Sequence, residues 1–249
     1  MPRTVLLSTP TYALHLAEIA SQENIDLCES TIKTTIHAGE PGASIPETRK
    51  RIERAWNAQV IDHAGSTEVG AFGVGDLEGK GLYVNEEEFI AEVFEPRSTT
   101  PAKPDTAGEL IITNLGRGGW PVIRYRTGDL VHPIRISSGP MQGRLFLQGG
   151  ILGRTDEMIT VRGVNIYPSV LENLIRSVIG RGEFKIVAST FSEMDQIEIE
   201  LEGDQMAGKS LARKIREKIG LRVDVKPAKM GTLPRWKGKA KRFDDRRTL

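Results

Sequence analysis

Apolar and polar positions change their period three times along the chain. "TVLLS", residues 4–8, is an apolar run short enough for a buried strand. Thr9 and Pro10 then stand as N-cap and first helical residue of a helix predicted over Tyr12 to Ile25. "TIKTTIHAG" alternates as a strand that ends at glycine, and "GASIPETRKRIERAW" places Ser44 and Glu47 at capping-box spacing. Ile45, Ile52, Ala55 and Trp56 follow on one helical face, and "AQVIDHAGSTEVG" reads as a strand running into a loop. Strand, helix, strand, helix, strand is the order of a parallel or mixed α/β layer. Such layers bind ligands at the carboxyl ends of their strands, where the loops "HAGEPGAS" and "DHAGSTEVG" fall.

From about Gly70 to Gly150 short strands such as "EFIAEVF" and "GELIITN" alternate with Gly- and Pro-rich turns, which predicts a small antiparallel β subdomain. Beyond Asp156 the pattern becomes strand ("MITVRG"), a helix opened by Pro168 with Val170, Leu171, Leu174, Ile175 and Val178 on one side, and two strands ("FKIVAST", "QIEIELEG"). A helix ending at Gly220 and a last strand, "LRVDVKP", complete it. That order predicts a ferredoxin-like α+β domain, followed by a basic, mobile tail. The expected division is an α/β body fragment with a β-rich subdomain over 1–153 (α/β layer 1–75, β-rich part 76–153), then a small mobile C-terminal lid domain over 154–249 with a hinge near 154–157.

Composition narrows the function classes. Over 249 residues, 34 basic side chains nearly cancel 33 acidic ones, so no global field points to a nucleic acid or a membrane. The single cysteine, Cys28, excludes an internal disulfide and a multi-thiolate zinc site, and is expected to be a small core residue. His15, His37, His63 and His132 show no ligand spacing, and no G-x-S-x-G elbow occurs. With no membrane-length apolar run and no leader pattern, the expected compartment is the cytoplasm.

Four places carry residue types that work on a nucleotide. In "GSTEVG" glycines allow close backbone approach, Thr67 can donate to a phosphate oxygen and Glu68 can ligate Mg²⁺. In "RYRTGDL" Asp129, expected in a turn, can accept both hydroxyls of a ribose. In "GRTDEMITVRG" Arg154 can reach ribose or phosphate, and Asp156 stands where backbone torsions would have to change. In "LPRWKGKAKR" Lys239 sits on a glycine-loosened loop, where it can neutralise charge developing on an α-phosphate. Taken singly, each also fits an ordinary solvated turn, a linker salt bridge or a basic tail that binds polyanions nonspecifically.

Taken together, "TPTYALHLAE", "GEPGASIPETRKRIE", "DHAGSTEVG", "YRTGDL", "GRTDEMITVRGVNIYPSVLEN" and "LPRWKGKAKR" resemble the acyl-adenylate-forming superfamily, specifically its phenylacetate–coenzyme A ligase branch, over essentially the whole chain. The resemblance implies that Ala38, Gly39 and Glu40 border the adenine, that Asp62, His63, Ala64 and Gly65 also bind the nucleotide, and that Thr67 and Glu68 are catalytic, contacting phosphate and Mg²⁺. It implies Asp129 on the ribose with help from Arg154, Asp156 as hinge, Gly163 lining the coenzyme A channel, and Lys239 as the adenylation lysine. The implied reaction joins an aromatic carboxylic acid to AMP using ATP and Mg²⁺, then passes the acyl group to coenzyme A. Two departures stand out: Ala64 occupies a place where relatives commonly carry an aromatic, and no Ser/Thr/Gly-rich phosphate loop with a lysine is present, "GVGDLEGKGL" lacking the hydroxyls. The chain is therefore expected to be a truncated piece, weakly active or inactive alone, that joins a separate N-terminal half or a second copy. The competing expectation is a non-catalytic remnant that keeps the fold as an interaction module.

Overall fold

The computed structural model describes residues 4–179, 182–191, 194–235 and 241–247. The chain divides into two compact units, Met1–Asp156 and Glu157–Leu249.

The first unit opens with β1 (Thr4–Ser8), α1 (Pro10–Gln22), β2 (Ile32–His37), α2 (Pro46–Trp56) and β3 (Gln59–Ser66). Thr9 caps α1, its hydroxyl accepting from the Tyr12 amide at 3.2 Å, as Pro10 leads the first turn. The helix stops at Gln22, three residues short of the predicted Ile25. β1, β2 and β3 are parallel, and α1 and α2 bury Ala13, Ile52 and Trp56 against Val60 on one face of them. The indole of Trp56 also donates to the Ala13 carbonyl at 3.1 Å. The predicted capping box does not form. Pro46 occupies the first helical turn, so Ile45 is the N-cap without a side-chain bond, and the Ser44 hydroxyl turns instead to the buried Asp62 carboxylate. β1 also departs from expectation. Its alternate residues Val5 and Leu7 are 52% and 71% exposed rather than buried. Cys28 is half-buried rather than in the core.

The same sheet continues antiparallel through β4 (Gly70–Gly75) and β5 (Gly81–Val84). A second sheet is built by β6 (Phe89–Phe94), β7 (Gly108–Asn114), β8 (Tyr125–Val131) and, later in the chain, β11 (Gly153–Arg154). Between β8 and β11, β9 (Pro133–Arg135) and β10 (Leu145–Gln148) return to the first sheet, whose order is β1-β2-β3-β4-β5-β10-β9. The antiparallel strands predicted after Gly70 are thus present, but four of them share a sheet with the α/β layer. The residues between the two sheets, including Phe72, Leu82, Leu110, Ile112 and Leu147, form one apolar core.

The second unit comprises β12 (Ile159–Val161), β13 (Val164–Ile166), α3 (Pro168–Arg176), β14 (Phe184–Phe191), β15 (Met194–Glu202), α4 (Gln205–Ile219), β16 (Asp224–Ala228) and β17 (Phe243–Asp245). β15 alternates as its sequence does, burying Ile197, Ile199 and Leu201. Leu171 and Ile175 of α3 are buried with them, while Val170 is 37% exposed. The unit is α+β, but its sheet runs β16-β15-β14-β17, and β12 leaves it to pair with β13. Among the described residues no strand stands between β15 and β16, where the first strand of a ferredoxin-like fold would lie, and β17 from the tail instead extends the sheet at its edge, parallel to β14. That tail was expected to be a mobile basic run. Its described part is instead tied down by a strand and by ion pairs of Arg235 with Glu202 and of Arg242 with Glu183 and Glu172.

Candidate functional site

The parallel strands end at a cavity of about 400 Å³ lined by Leu7, Ser8, Thr9, Ala38 and His63. Its place follows from topology, since the carboxyl ends of β1, β2 and β3 lie side by side in register, Leu7 beside Ile36 and Ile36 beside Ile61. Ala38 and His63 are the sequence-predicted residues that line it; Thr67 and Asp129 do not. Beneath, His37 is buried, its ring shared between the Ser8 carbonyl at 3.2 Å and the Thr35 hydroxyl at 2.9 Å, and burial keeps it neutral by pulling its pKa down. Gly39 adopts φ +90, a left-handed backbone suited to glycine. The Glu40 carboxylate accepts from the Thr11 amide at 2.6 Å, and so caps the first turn of α1.

Asp62, Ala64 and Gly65 lie inside β3 rather than in a loop, and only Thr67–Val69 separates β3 from β4. Asp62 is 9% exposed, with its carboxylate accepting from the Ser44 hydroxyl and from the His63 amide at 2.9 Å. Burial pushes its carboxyl above the usual range. It therefore ties the loop before α2 to the end of β3. Gly65 is required because an added Cβ would stand 2.8 Å from the Gly70 carbonyl oxygen. Ala64 is buried against Gly73 across the strands, in the core where a large ring has no room. Glu68 is on the exposed turn, held below the usual carboxylate range by its own amide and the Ser66 hydroxyl.

A second cluster forms where β8 meets β11. Asp129 lies within β8, not in a turn, and pairs in register with Arg154. The Arg154 guanidinium donates to the Thr127 carbonyl at 2.8 Å and to Asp129 Oδ1 at 3.3 Å. Its other edge forks both carboxylate oxygens of Asp156 at 2.9 Å each. Gly128 makes this possible: at φ +74, a Cβ there would stand 2.6 Å from Arg154 Nη2. Burial raises the Asp129 pKa, opposed by the Arg154 charge. A pair of hydroxyls could take the carboxylate oxygen that Arg154 leaves open.

Gly163 lies in the two-residue turn between β12 and β13, where Arg162 and Gly163 have φ +51 and +78. Two left-handed residues make the hairpin turn that matches strand twist. An added Cβ at Gly163 would meet no heavy atom within 4 Å among the described residues, so backbone conformation rather than close approach explains the glycine there. Lys239 falls outside the described residues. No group of three metal-ligating side chains occurs among the described residues. One ionised, exposed carboxylate at Glu68 suits Mg²⁺, which keeps most of its waters and arrives on phosphates.

Sequence reasoning passed over Asn114, the last residue of β7, and Arg117 in the β7–β8 loop. Their side chains hold the Thr67–Val69 turn, and only the fold brings these distant segments together.

Residues 163–247 match the AMP-binding enzyme C-terminal domain family. Over 98% of its length the chain is 28% identical to a phenylacetate-coenzyme A ligase of Pseudomonas putida and 27% identical to that of Escherichia coli K12. It spans 57% and 58% of those two proteins. A crystal structure of 2-hydroxyisobutyryl-CoA ligase, in the postadenylation state with 2-HIB-AMP, superposes with a TM-score of 0.87 at 29% identity, covering 97% of this chain and 54% of that one. Over nearly its whole length the chain is therefore similar to phenylacetate–coenzyme A ligases and to an acyl-adenylate-forming ligase of known structure, and spans little more than half of each.

Proposed function

We propose that this chain supplies the adenylate-handling part of a carboxylate–coenzyme A ligase acting on phenylacetate or a related aromatic acid. The observation that carries this reading is the Asp129–Arg154–Asp156 arrangement, a half-buried carboxylate with one guanidinium laid across it where β8 pairs with β11. In this reading Asp129 receives the ribose hydroxyls and Ala38 with Gly39 and Glu40 borders the base. Thr67 meets phosphate, and Glu68 ligates Mg²⁺, which supplies charge neutralisation on the phosphates. Lys239 neutralises charge at the α-phosphate during acyl-AMP formation. The backbone turning at Asp156 then brings Gly163 toward the site for attack by the coenzyme A thiol, one mobile domain serving two transition states. Release of the Arg154 fork is the local cost of that turn, because two charge-assisted bonds hold Asp156.

The sequence holds no Ser/Thr/Gly-rich loop with a lysine, so ATP binding by this chain is expected to be weak and turnover slight. Calorimetric titration with ATP and Mg²⁺, together with a pyrophosphate-release assay, tests the reading. Measurable binding that Asp129→Asn weakens by about tenfold or more supports it, since a charged acceptor is lost; binding indifferent to Asp129 refutes it. A second reading, an interaction module without catalysis, draws support from the exposed Val5 and Leu7 of β1.

A further inference from the structure

We infer that Arg117, set by Asn114, is the positioning arm of the Thr67–Glu68 turn and itself contacts a phosphate oxygen of the bound nucleotide. This rests on the adenylate reading above and adds a residue to it. The turn between β3 and β4 presents three consecutive carbonyls to the β7–β8 loop, and all three are taken. Arg117 Nη1 donates to the Thr67 carbonyl at 3.0 Å and the Glu68 carbonyl at 3.1 Å. Asn114 Nδ2 donates to the Val69 carbonyl at 2.6 Å. The same Asn114 side chain fixes the start of the loop, its Oδ1 accepting from the Gly116 and Arg117 amides at 2.8 and 3.0 Å. One asparagine therefore aligns both the turn and the arginine that holds it.

What Arg117 leaves unused points to an anion. A guanidinium has five N–H groups, and the two carbonyl bonds engage Nη1 alone. Nε and Nη2 have no partner among the described residues, and no ion pair there neutralises the charge. The side chain is exposed, so the charge is available to a ligand and yet held in place at its tip. Gly70 is shaped to it. At φ +98, a Cβ on Gly70 would stand 3.3 Å from Arg117 Nη2. A fixed cation with spare planar donors, beside a turn carrying a hydroxyl and an ionised carboxylate, suits a phosphoryl group accompanied by a divalent ion.

Equilibrium titration of the full chain with MgATP compares the unaltered protein with Arg117→Gln, Arg117→Lys and Asn114→Ala, with a melting curve for each. Arg117→Gln should weaken binding about tenfold or more, as the loss of a charge-assisted contact predicts, with the melting temperature unchanged. Arg117→Lys should recover part of that loss, keeping the charge without the fork. Asn114→Ala should cost less than Arg117→Gln, loosening the turn while keeping the cation. Equal losses in the Gln and Lys variants, or none in either, overturn the phosphate contact while the adenylate reading stands. An unaltered chain that binds no MgATP overturns both.

Discussion

Asp62 shows how one buried group shapes this site. Its carboxylate is enclosed in β3, where the hydrogen bonds from Ser44 and the His63 amide do not offset burial. Burial raises its pKa in the folded state. Folding therefore favours the protonated acid, so the contribution to stability is fully present below the unfolded value and is lost as pH rises through the folded one. Asp62→Asn removes the titration while keeping an acceptor for Ser44. It should raise the melting temperature by a few degrees at pH 8, with the gain shrinking toward pH 4; a gain independent of pH would contradict this account. The sequence marked Asp62 as part of the nucleotide-binding loop and Ser44 as a helix cap. Ser44 and Glu47 do have capping-box spacing, but Pro46 shifts the helix start to Ile45 and leaves the Ser44 hydroxyl to Asp62. A partner across the fold carries no local signal, and Arg117 escaped sequence reading for the same reason.

Among elements, alternation and capping signals were enough to find most strands and all four α-helices among the described residues. Thr9 before Pro10, Asp204 bonding the Ala207 amide at 2.7 Å, and Gly220 at φ +78 mark the helix ends where the residue types require them. Pairing was less legible. Short strands such as β12 and β17 choose partners through packing, and the tail strand was hidden in a basic stretch that composition alone reads as solvated. Buried acids explain why it is not. Glu202 is 2% exposed and accepts from Arg235 at 2.8 Å and from the Glu183 and Leu233 amides at 3.0 Å each. Glu183 in turn pairs with Arg242 at 2.8 Å. Two adjacent carboxylates thus hold the described chain on both sides of the segment that contains Lys239. Together these partners outweigh burial and hold the Glu202 pKa down at about 2. A depressed folded value contributes stability that is present above the unfolded carboxylate value, near 4.5, and lost as pH falls toward about 2. Glu202→Gln should therefore lower the melting temperature at pH 7 and flatten its decline in acid. Tracking amide exchange at Leu233 across that range checks the assignment, since faster exchange in the variant at pH 7 is required.

At the scale of the whole molecule, each unit encloses a core of its own, and among the described residues one face of the first unit's β1–β4 strands carries exposed apolar side chains, Leu7 and Val74. Register places Leu7, Ile36 and Ile61 in one row across β1, β2 and β3, and the next row on the same face pairs His63 of β3 with Val74 of β4. Opposite them, α1 and α2 cover Leu6 and Val60. Sequence reading took "TVLLS" as buried because apolar composition reports what a strand prefers, not which layers are there to cover it. β1 is moreover the end strand of its sheet order, and an uncharged edge with apolar neighbours is a template for pairing. Val5 and Leu7, at 52% and 71% exposed, are the side chains any added strand or second copy would cover first. Self-association through this edge should therefore grow with concentration in sedimentation velocity, and Val5→Lys with Leu7→Lys should abolish it while leaving the melting temperature nearly unchanged. The lysines act at solvated positions on the face away from the α1–α2 core, so their effect falls on association rather than folding. Monomeric sedimentation of the unaltered chain throughout the micromolar range would mean that exposed apolar area at β1 does not suffice to recruit a second copy.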